Sequence, residues 1–409
     1  MKQMQLLVAC SLSVWTLLST NLQPVQAYKS TKLFFLLSKP VISVDNLKRS
    51  ELETIKVDGN NSKKLPPQLE QKPFLIAAPE NFNPGLQVQP PLPKPPQNPK
   101  TPLTSPEPIK PFAVLESIDA NFRNDADNFG QNNLFIEPTF QFRLPNGNKI
   151  LFRTGFDFFE QRNVESISNI PLQIGWQGKI GEVTLQTAAG IDIFDRLPTA
   201  INFNAKVEAP IVPPQVSSSG RLLSGVILSI NLDKEPYKFN AQTLDNQISA
   251  WRFGPNLYWQ IDGDTSLFSS LRLGNYSDGN SEIQSFSRLE RKFGQFSVAA
   301  NLFTWSYDRN VERTSGYFSP PDFLVYNAEV AWEGDIVNFL RCRLSANLGQ
   351  QRLNGEFDNA NAYQTRCTVK VSPKIEADLG YSFSNVRNQD TGGSAYSGNS
   401  LTGQLRVRF

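Results

Sequence analysis

Strict alternation of apolar and polar residues is the feature that most constrains how this chain can fold. From Phe112 onward it recurs in sixteen segments, most of them 10–13 residues long. A period of two gives a strand one apolar and one polar face. The segments are residues 112–124, 134–144, 149–159, 167–177, 182–194, 199–208, 222–231, 246–261, 265–276, 281–292, 295–307, 324–334, 339–351, 361–371, 375–386 and 400–409.

The lengths of these segments and of their connections favour a membrane barrel. A tilted strand needs about 9–11 residues to cross a bilayer. Tight turns are predicted at 145–148, 178–181, 262–264, 293–294 and 372–374, and longer polar loops at 232–245, 308–323 and 387–399. Residues 209–221 are the exception, a long connection predicted among the tight turns. The sequence therefore predicts an all-β fold over 112–409, a transmembrane antiparallel up-and-down β-barrel of about 16 strands.

The distribution of apolar and polar side chains between the two faces of the predicted strands agrees with this fold. In 375–386 the odd positions are apolar and most even positions are polar or acidic. Trp176, Trp259 and Trp332 share the apolar parity near the tight-turn ends of their strands, where a membrane aromatic belt lies. A soluble β-sandwich alternates as well, and core tryptophans are the alternative interpretation of these three residues.

The N-terminal quarter differs in texture from the barrel. Residues 1–27 have a lysine, an apolar stretch and a small-residue cleavage site, as a secretory signal peptide does. A lipoprotein box ending at Cys10 is the alternative. Within 28–111, prolines crowd the second half and favour an extended periplasmic linker, or a ligand for a proline-binding module. No later apolar run approaches the ~18 residues of a membrane helix.

Composition excludes several classes of function. The chain has no histidine and only three cysteines, which removes the Ser/His and Cys/His nucleophile pairs and thiolate metal sites. We predict no catalytic residue, no cofactor and no metal; a carboxylate-based enzyme is the least favoured alternative. The net charge of +2 predicts no nucleic-acid partner.

A disulfide is predicted between Cys342 and Cys367. Asn354-Gly355 is a strong signal for a two-residue hairpin turn, and pairing outward from it places the two cysteines opposite each other. The predicted pair is of the non-hydrogen-bonded kind, whose Cα atoms lie about 4.5 Å apart. An oxidising compartment favours the bond.

Two stretches resemble a known family. LGNYSDGNSEIQ (273–284) and YDRNVERTSGYFSPPDFLVYNAEVAWEGD (307–335) are similar, in order and spacing, to the C-terminal outer-membrane barrel of bacterial exopolysaccharide exporters of the cellulose and poly-N-acetylglucosamine type. The resemblance covers 112–409 and implies a conduit for a polysaccharide chain. Those exporters carry helical repeats before the barrel, and this chain has none. A diffusion porin, or a structural barrel tethered to a periplasmic partner, is therefore the alternative.

Aromatic and acidic residues near the longer loops are candidate glycan contacts. Aromatic faces stack on sugars, and carboxylates accept hydrogen bonds from hydroxyl groups. The alternative is an aromatic belt combined with ordinary turn residues. The candidates are Tyr276, Asp278, Asn280, Trp305, Tyr307, Asp308 and Tyr317.

A basic patch is predicted on the lumen face of the last strands. Glu376 and Asp378 are the nearby acids that alternation assigns to this face, so six cations face two anions and the mouth is expected to attract anions. A structural network with loop carboxylates is the alternative. The cations are Arg341, Arg343, Arg366, Lys370, Arg406 and Arg408.

The last strand ends on Phe409 and resembles the signal by which outer-membrane proteins are recognised for assembly. The expected partners are therefore outer-membrane lipid and the barrel-assembly machinery, together with a polysaccharide chain and a periplasmic scaffold protein. The expected location is the outer membrane of a Gram-negative-type bacterium, with residues 28–111 in the periplasm.

Overall fold

The computed structural model describes residues 112–218, 220–386 and 397–409, and the predicted signal peptide (1–27) and linker (28–111) lie outside them. The described residues form one antiparallel sheet. Its strands are β1 (Val114–Asp127), β2 (Gln131–Arg143), β3 (Lys149–Thr154), β4 (Phe156–Gln161), β5 (Val164–Ile180), β6 (Val183–Phe194), β7 (Ala200–Val216), β8 (Leu222–Pro236), β9 (Ser249–Gln260), β10 (Thr265–Tyr276), β11 (Ser281–Phe293), β12 (Phe296–Tyr307), β13 (Phe323–Val337), β14 (Leu340–Leu353), β15 (Glu356–Ser372), β16 (Ile375–Ser384) and β17 (Gly398–Arg408).

The sheet closes into a barrel of sixteen strands, as predicted. β17 pairs with β1, which joins the two edges of the sheet. β3 and β4 are halves of one strand, since both pair with β2 and with β5. The break falls at Gly155, where an added Cβ would lie 2.3 Å from the carbonyl oxygen of Ile136. Only glycine permits this close approach of two backbones.

The two ends of the barrel differ in their connections. At the short-turn end, residues 144–148, 181–182, 217–221, 261–264, 294–295, 338–339 and 373–374 join neighbouring strands. At the long-loop end lie residues 237–248 and 308–322, and there β16 ends and β17 begins, with 385–386 and 397 the described residues of their connection. The tight turn at Asn354-Gly355 also lies there, with positive φ at both residues, as a type I′ turn requires.

The prediction of a long connection at 209–221 is wrong. β7 continues to Val216, so only residues 217–221 link it to β8. The register between the two strands shifts between Pro210 and Val212 and again between Val212 and Gln215. Such bulges accommodate prolines, which cannot donate a hydrogen bond to a neighbouring strand. The prolines that suggested a loop therefore lie within an irregular strand.

The outward face of the wall is apolar. Ile174 is 63% exposed and Leu379 is 61% exposed, and both lie on the same outward parity as their apolar neighbours along the strand. Trp259, with 41% of its surface exposed, also faces outward, so it is not a core residue. The exposed apolar face matches the surface that a barrel presents to hydrocarbon.

Buried apolar residues form two clusters inside the barrel at the long-loop end. The larger contains Phe303, Trp305 and several tyrosines, and the smaller is built on Phe135 and Phe159. Several of these residues lie in the loops, so the barrel is filled at this end by its own loops.

No helix in the described part of the chain is both long and apolar enough to cross a membrane.

The structure joins Cys342 of β14 to Cys367 of β15 by a disulfide, in register between the two strands. Alkylation of unreduced protein, followed by mass spectrometry, should find both thiols unlabelled. Replacing both cysteines by serine should lower the free energy of unfolding by about 2–4 kcal/mol, as expected for a closed loop of this size. Two labelled thiols in the unreduced protein would contradict the bond.

A charge on the outward face should destabilise the barrel. Ile174 faces outward near the middle of β5, and its neighbour Gln173 faces the lumen. We expect Ile174→Arg to lower the free energy of unfolding in lipid vesicles by about 2–4 kcal/mol, and Gln173→Arg to lower it much less. Urea titration of the two folded variants measures both changes. Equal losses would show that the assigned outward face does not contact lipid.

Candidate functional site

Residues 237–248, called here the plug segment, leave β8 and fold into the barrel. They contain a short helix, α1 (Ala241–Asp245). The side chain of Asn240 caps α1 by accepting a hydrogen bond of 2.8 Å from the backbone N–H of Thr243. Ala241 and Leu244 are buried against Phe135 and other apolar residues of the smaller cluster. Local capping and apolar contact therefore hold α1 against the inner wall.

Lys238 anchors the plug segment to that wall. Its Nζ atom lies 2.8 Å from a carboxylate oxygen of Asp157 and 2.7 Å from one of Asp192. Asn169 donates hydrogen bonds to both carboxylates, at 2.9 and 3.0 Å. Burial disfavours the charge of Lys238, but the two carboxylates outweigh burial and raise the pKa of this lysine above its usual value. Lys238 is therefore held as a cation.

The main chain of the plug segment is also bound to β2. The carbonyl oxygen of Phe239 accepts hydrogen bonds from the side chains of Gln131, at 2.9 Å, and Asn133, at 2.8 Å. Both side chains are buried. A carbonyl that would otherwise be buried without a partner is thus satisfied by side chains of the wall.

The β12–β13 loop (residues 308–322) holds the other side of the plug segment. It contains α2 (Glu312–Ser315), which ends at Gly316 with a left-handed φ of 85°. Asn240 donates a hydrogen bond of 2.6 Å to the carbonyl oxygen of Gly316. The ring of Tyr237 packs edge-on against Tyr317, with centroids 5.2 Å apart. The two loops therefore support each other across the mouth.

Most of the predicted glycan contacts come together in this region, but they are buried. Tyr276 stacks on Tyr317 at 5.2 Å, and Trp305 lies 5.5 Å from Tyr307. These four rings are at most 3% exposed, and Asn280 is fully buried. They offer no open surface to a sugar chain in this conformation, so their role as glycan contacts stays a prediction that requires the loops to move.

The two acidic candidates behave differently. Asp278 is half-buried and accepts hydrogen bonds from Ser315, at 2.7 Å, and from Tyr317, at 3.0 Å. Asp308 is exposed at the start of the β12–β13 loop. Asp278 thus ties the β10–β11 turn to that loop, whereas Asp308 faces solvent.

Glu282, which is not among the predicted site residues, lies among the rings of the larger cluster. It is 1% exposed and accepts hydrogen bonds from the Tyr276 hydroxyl and, at 2.9 Å, from the indole N–H of Trp305. Arg272 lies 3.3 Å away and supplies a positive charge. A buried carboxylate with a cation and two donors orients the rings around it.

Most of the cations in the predicted basic patch form ion pairs. Arg343 lies 2.8 Å from Glu329 and 3.4 Å from Glu333, and Arg341 lies 2.8 Å from Glu333. Arg288 binds Glu329 through two hydrogen bonds, at 2.7 and 2.8 Å. Acids and arginines therefore alternate along the lumen faces of β11, β13 and β14.

A second group of pairs lies on the last strands. Arg366 lies 2.9 Å from Asp378, and Arg406 lies 2.6 Å from Glu376 and 3.5 Å from Asp378. The remaining two members of the patch, Lys370 and Arg408, form no ion pair with any described residue. The patch is thus mostly paired.

The expectation of six cations against two acids is wrong in its count of acids. Strand pairing brings further carboxylates to the same face, among them Glu329, Glu333 and Asp335 of β13, Glu290 of β11 and Asp119 of β1. The acids come from strands and not from loops. Across this part of the wall, positive and negative charges are therefore close to balanced.

A cavity of about 250 Å³ lies beside the smaller cluster. Arg123, Glu137, Arg366 and Asp378 line it, together with Phe135, over which the Arg123 guanidinium lies at 4.0 Å. No group of three or more Cys, Asp or Glu in the described ranges is placed to hold a metal ion.

The sequence predicted a loop at 232–245, but it predicted neither the entry of the plug segment into the barrel nor its wall partners. One signal was present: Asn240 followed by Ala-Gln-Thr-Leu is a typical start of a short helix. The partners gave none, because Lys238 and Asp157 are 81 residues apart and meet only in the folded barrel.

The chain is similar in fold to several solved structures. A bacterial polysaccharide outer membrane secretin matches 72% of this chain and 98% of its own, with a TM-score of 0.58 and 9% identity. CdiB from Acinetobacter baumannii matches 73% of this chain and 60% of its own, with a TM-score of 0.45 and 10% identity. The outer membrane protein opdK from Pseudomonas aeruginosa matches 73% of this chain and 99% of its own, with a TM-score of 0.40 and 10% identity.

No protein-family model and no curated protein sequence matches the chain. At 9% identity, the likeness to the secretin shows a shared barrel fold and nothing about what is transported.

Replacing the paired arginines should leave carboxylates of the lumen without a compensating positive charge. In reconstituted protein, Arg341→Gln, Arg343→Gln and Arg406→Gln together should shift the reversal potential in a salt gradient toward cations, since their acid partners lose compensation. In the matched control, Glu329, Glu333 and Glu376 are also replaced by glutamine. This control should return the reversal potential toward the wild-type value. An unchanged ion preference in the triple variant would show that these arginines do not face the channel.

Proposed function

We propose that this protein is an outer-membrane channel and that it is a conduit for the export of an exopolysaccharide. The observation that carries the proposal is the closed sixteen-strand barrel, apolar outside and polar inside. A barrel of this size encloses an aqueous space that wall side chains alone do not fill. Transport through the lumen is the function that such a wall supports best.

The chemistry of the wall suits a hydroxyl-rich chain. Amides and paired charges face the lumen, as in the hydrogen bond of 2.9 Å from Gln404 to Asn121. Such groups exchange hydrogen bonds with sugar hydroxyls and with water. Because the charges of the β11–β17 wall are nearly balanced, an uncharged polymer meets no strong field. The resemblance of 273–284 and 307–335 to exopolysaccharide exporters supports the same substrate class.

A diffusion porin is the second candidate, and the inward-folded plug segment favours it. A loop that narrows the mouth also suits selective passage of small solutes. In either case we propose outer-membrane lipid and the barrel-assembly machinery as partners. For export, we propose a separate periplasmic scaffold protein reached by residues 28–111.

Deletion of the gene in its native host tests the proposal. We expect the amount of released exopolysaccharide to fall and the amount of periplasmic polymer to rise, because the polymer loses its exit. A plasmid copy of the gene should restore release. Polymer is measured in the medium and in the periplasmic fraction. Unchanged release, together with rapid swelling of liposomes in small sugars when the purified protein is present, would identify a diffusion porin instead.

A further inference from the structure

The plug segment lies inside the barrel, against the wall at the long-loop end. It begins at the end of β8, yet it binds β2 through Gln131 and Asn133 and binds β4 and β6 through Asp157 and Asp192. All four wall side chains face the lumen. β2 lies five strands from β8 around the barrel, so the segment follows the inner surface of the wall past β6 and β4 to reach it.

The attachments of the plug segment to this part of the wall are made through side chains. Wall amides and carboxylates bind one carbonyl oxygen and one ammonium group, while no strand of the described sheet pairs with α1. Side-chain contacts can be broken without opening a backbone ladder. The plug segment can therefore leave the wall while all sixteen strands remain paired.

We propose that the plug segment is a gate at the long-loop mouth and that Lys238 is the charged latch that holds it closed. The inference rests on the proposed channel function and names the regulation of the same lumen. Asp157 and Asp192 form a fixed receptor for one ammonium group, oriented by Asn169. When the gate opens, Lys238 leaves and both carboxylates face the water of the lumen.

Opening the gate also uncovers the aromatic cluster. Tyr237 packs on Tyr276 at 4.9 Å and on Tyr317 at 5.2 Å, and its hydroxyl lies 3.4 Å from that of Tyr307. Withdrawal of Tyr237 with the plug segment exposes faces of these rings to the lumen. Rings that are buried in the closed state thereby become available to a passing sugar chain.

Single-channel recording of the full-length protein in planar bilayers tests the latch. Lys238→Met keeps the length of the side chain but leaves two carboxylates without their cation, so the open-to-closed ratio should rise about tenfold, equivalent to about 1.4 kcal/mol. The matched control is Lys206→Met, at a lumen-facing lysine whose partner is Glu208 of its own strand, at 2.8 Å. It should gate as wild type.

A second variant separates the latch from general loosening. Asp157→Asn and Asp192→Asn, added to Lys238→Met, remove the uncompensated charges and should return the open-to-closed ratio toward wild type. Heat-modifiable migration and circular dichroism confirm that each variant is folded. A triple variant that stays as open as Lys238→Met, or a Lys238→Met protein that gates as wild type, would overturn the latch.

Cross-linking tests the gate independently of charge. Gln161 of β4 accepts a hydrogen bond from the backbone N–H of Gln242 in α1, at 3.1 Å. Cysteines at these two positions, joined by a short cleavable bifunctional reagent, should abolish opening until the reagent is cleaved. Wild type treated with reagent and reductant controls for the native disulfide. Cross-linked protein that conducts like untreated protein would overturn the gate.

Ion current distinguishes failure of the gate from failure of the channel. If a variant with residues 238–247 replaced by a short Gly-Ser link stays silent, the protein is no channel and both proposals fall. If that variant and wild type conduct alike, only the gate falls. A larger and steadier current in the shortened variant supports both, whichever polymer passes through the barrel in the cell.

Discussion

Closure of the sheet is the constraint on which the rest of the structure depends. In hydrocarbon, each backbone N–H and C=O group needs a partner within the protein, because no water is present to replace one. The pairing of β17 with β1, from Ser117 opposite Arg408 to Asp127 opposite Gly398, removes the last free edges. Once the sheet is closed, each residue of the wall faces either lipid or the lumen.

This division determines where charge can be placed. Residues on the lumen parity are available for polar networks, and the register of the strands brings opposite charges side by side. Arg288 on β11 reaches Glu329 on β13 across the intervening β12, and Glu329 in turn binds Arg343 on β14. The buried charges of Arg288, Glu329 and Arg366 are tolerated because each of these groups has an oppositely charged partner within hydrogen-bond distance. The paired charges are therefore a consequence of the register as much as of the composition.

Local sequence patterns predicted the strands of the wall, but they did not predict the contacts between residues that are distant in sequence and meet inside the barrel. The sixteen strands and the Asn354-Gly355 turn follow from alternation and turn residues, which act over a few positions. The acids that neutralise Arg341 and Arg343 were missed because their facing depends on the pairing of β13 with β14. Prolines at 209–221 suggested a loop, since sequence gives no sign that a bulged partner strand will accommodate them. Lys238 was missed because its two partners lie on distant strands.

The plug segment is a response to the width of the barrel. Side chains of a sixteen-strand wall do not meet at the centre, so a closed mouth requires loops to enter. A loop inside the lumen needs partners for its polar groups, and Gln131 and Asn133 supply them for Phe239. When the loop leaves, water can take the place of each partner, so each hydrogen bond stabilises closure by only about 0.5–1.5 kcal/mol. In the proposed gate, the balance between a closed and an open mouth is then set mainly by the charged contact at Lys238 and by the burial of Tyr237, Ala241 and Leu244.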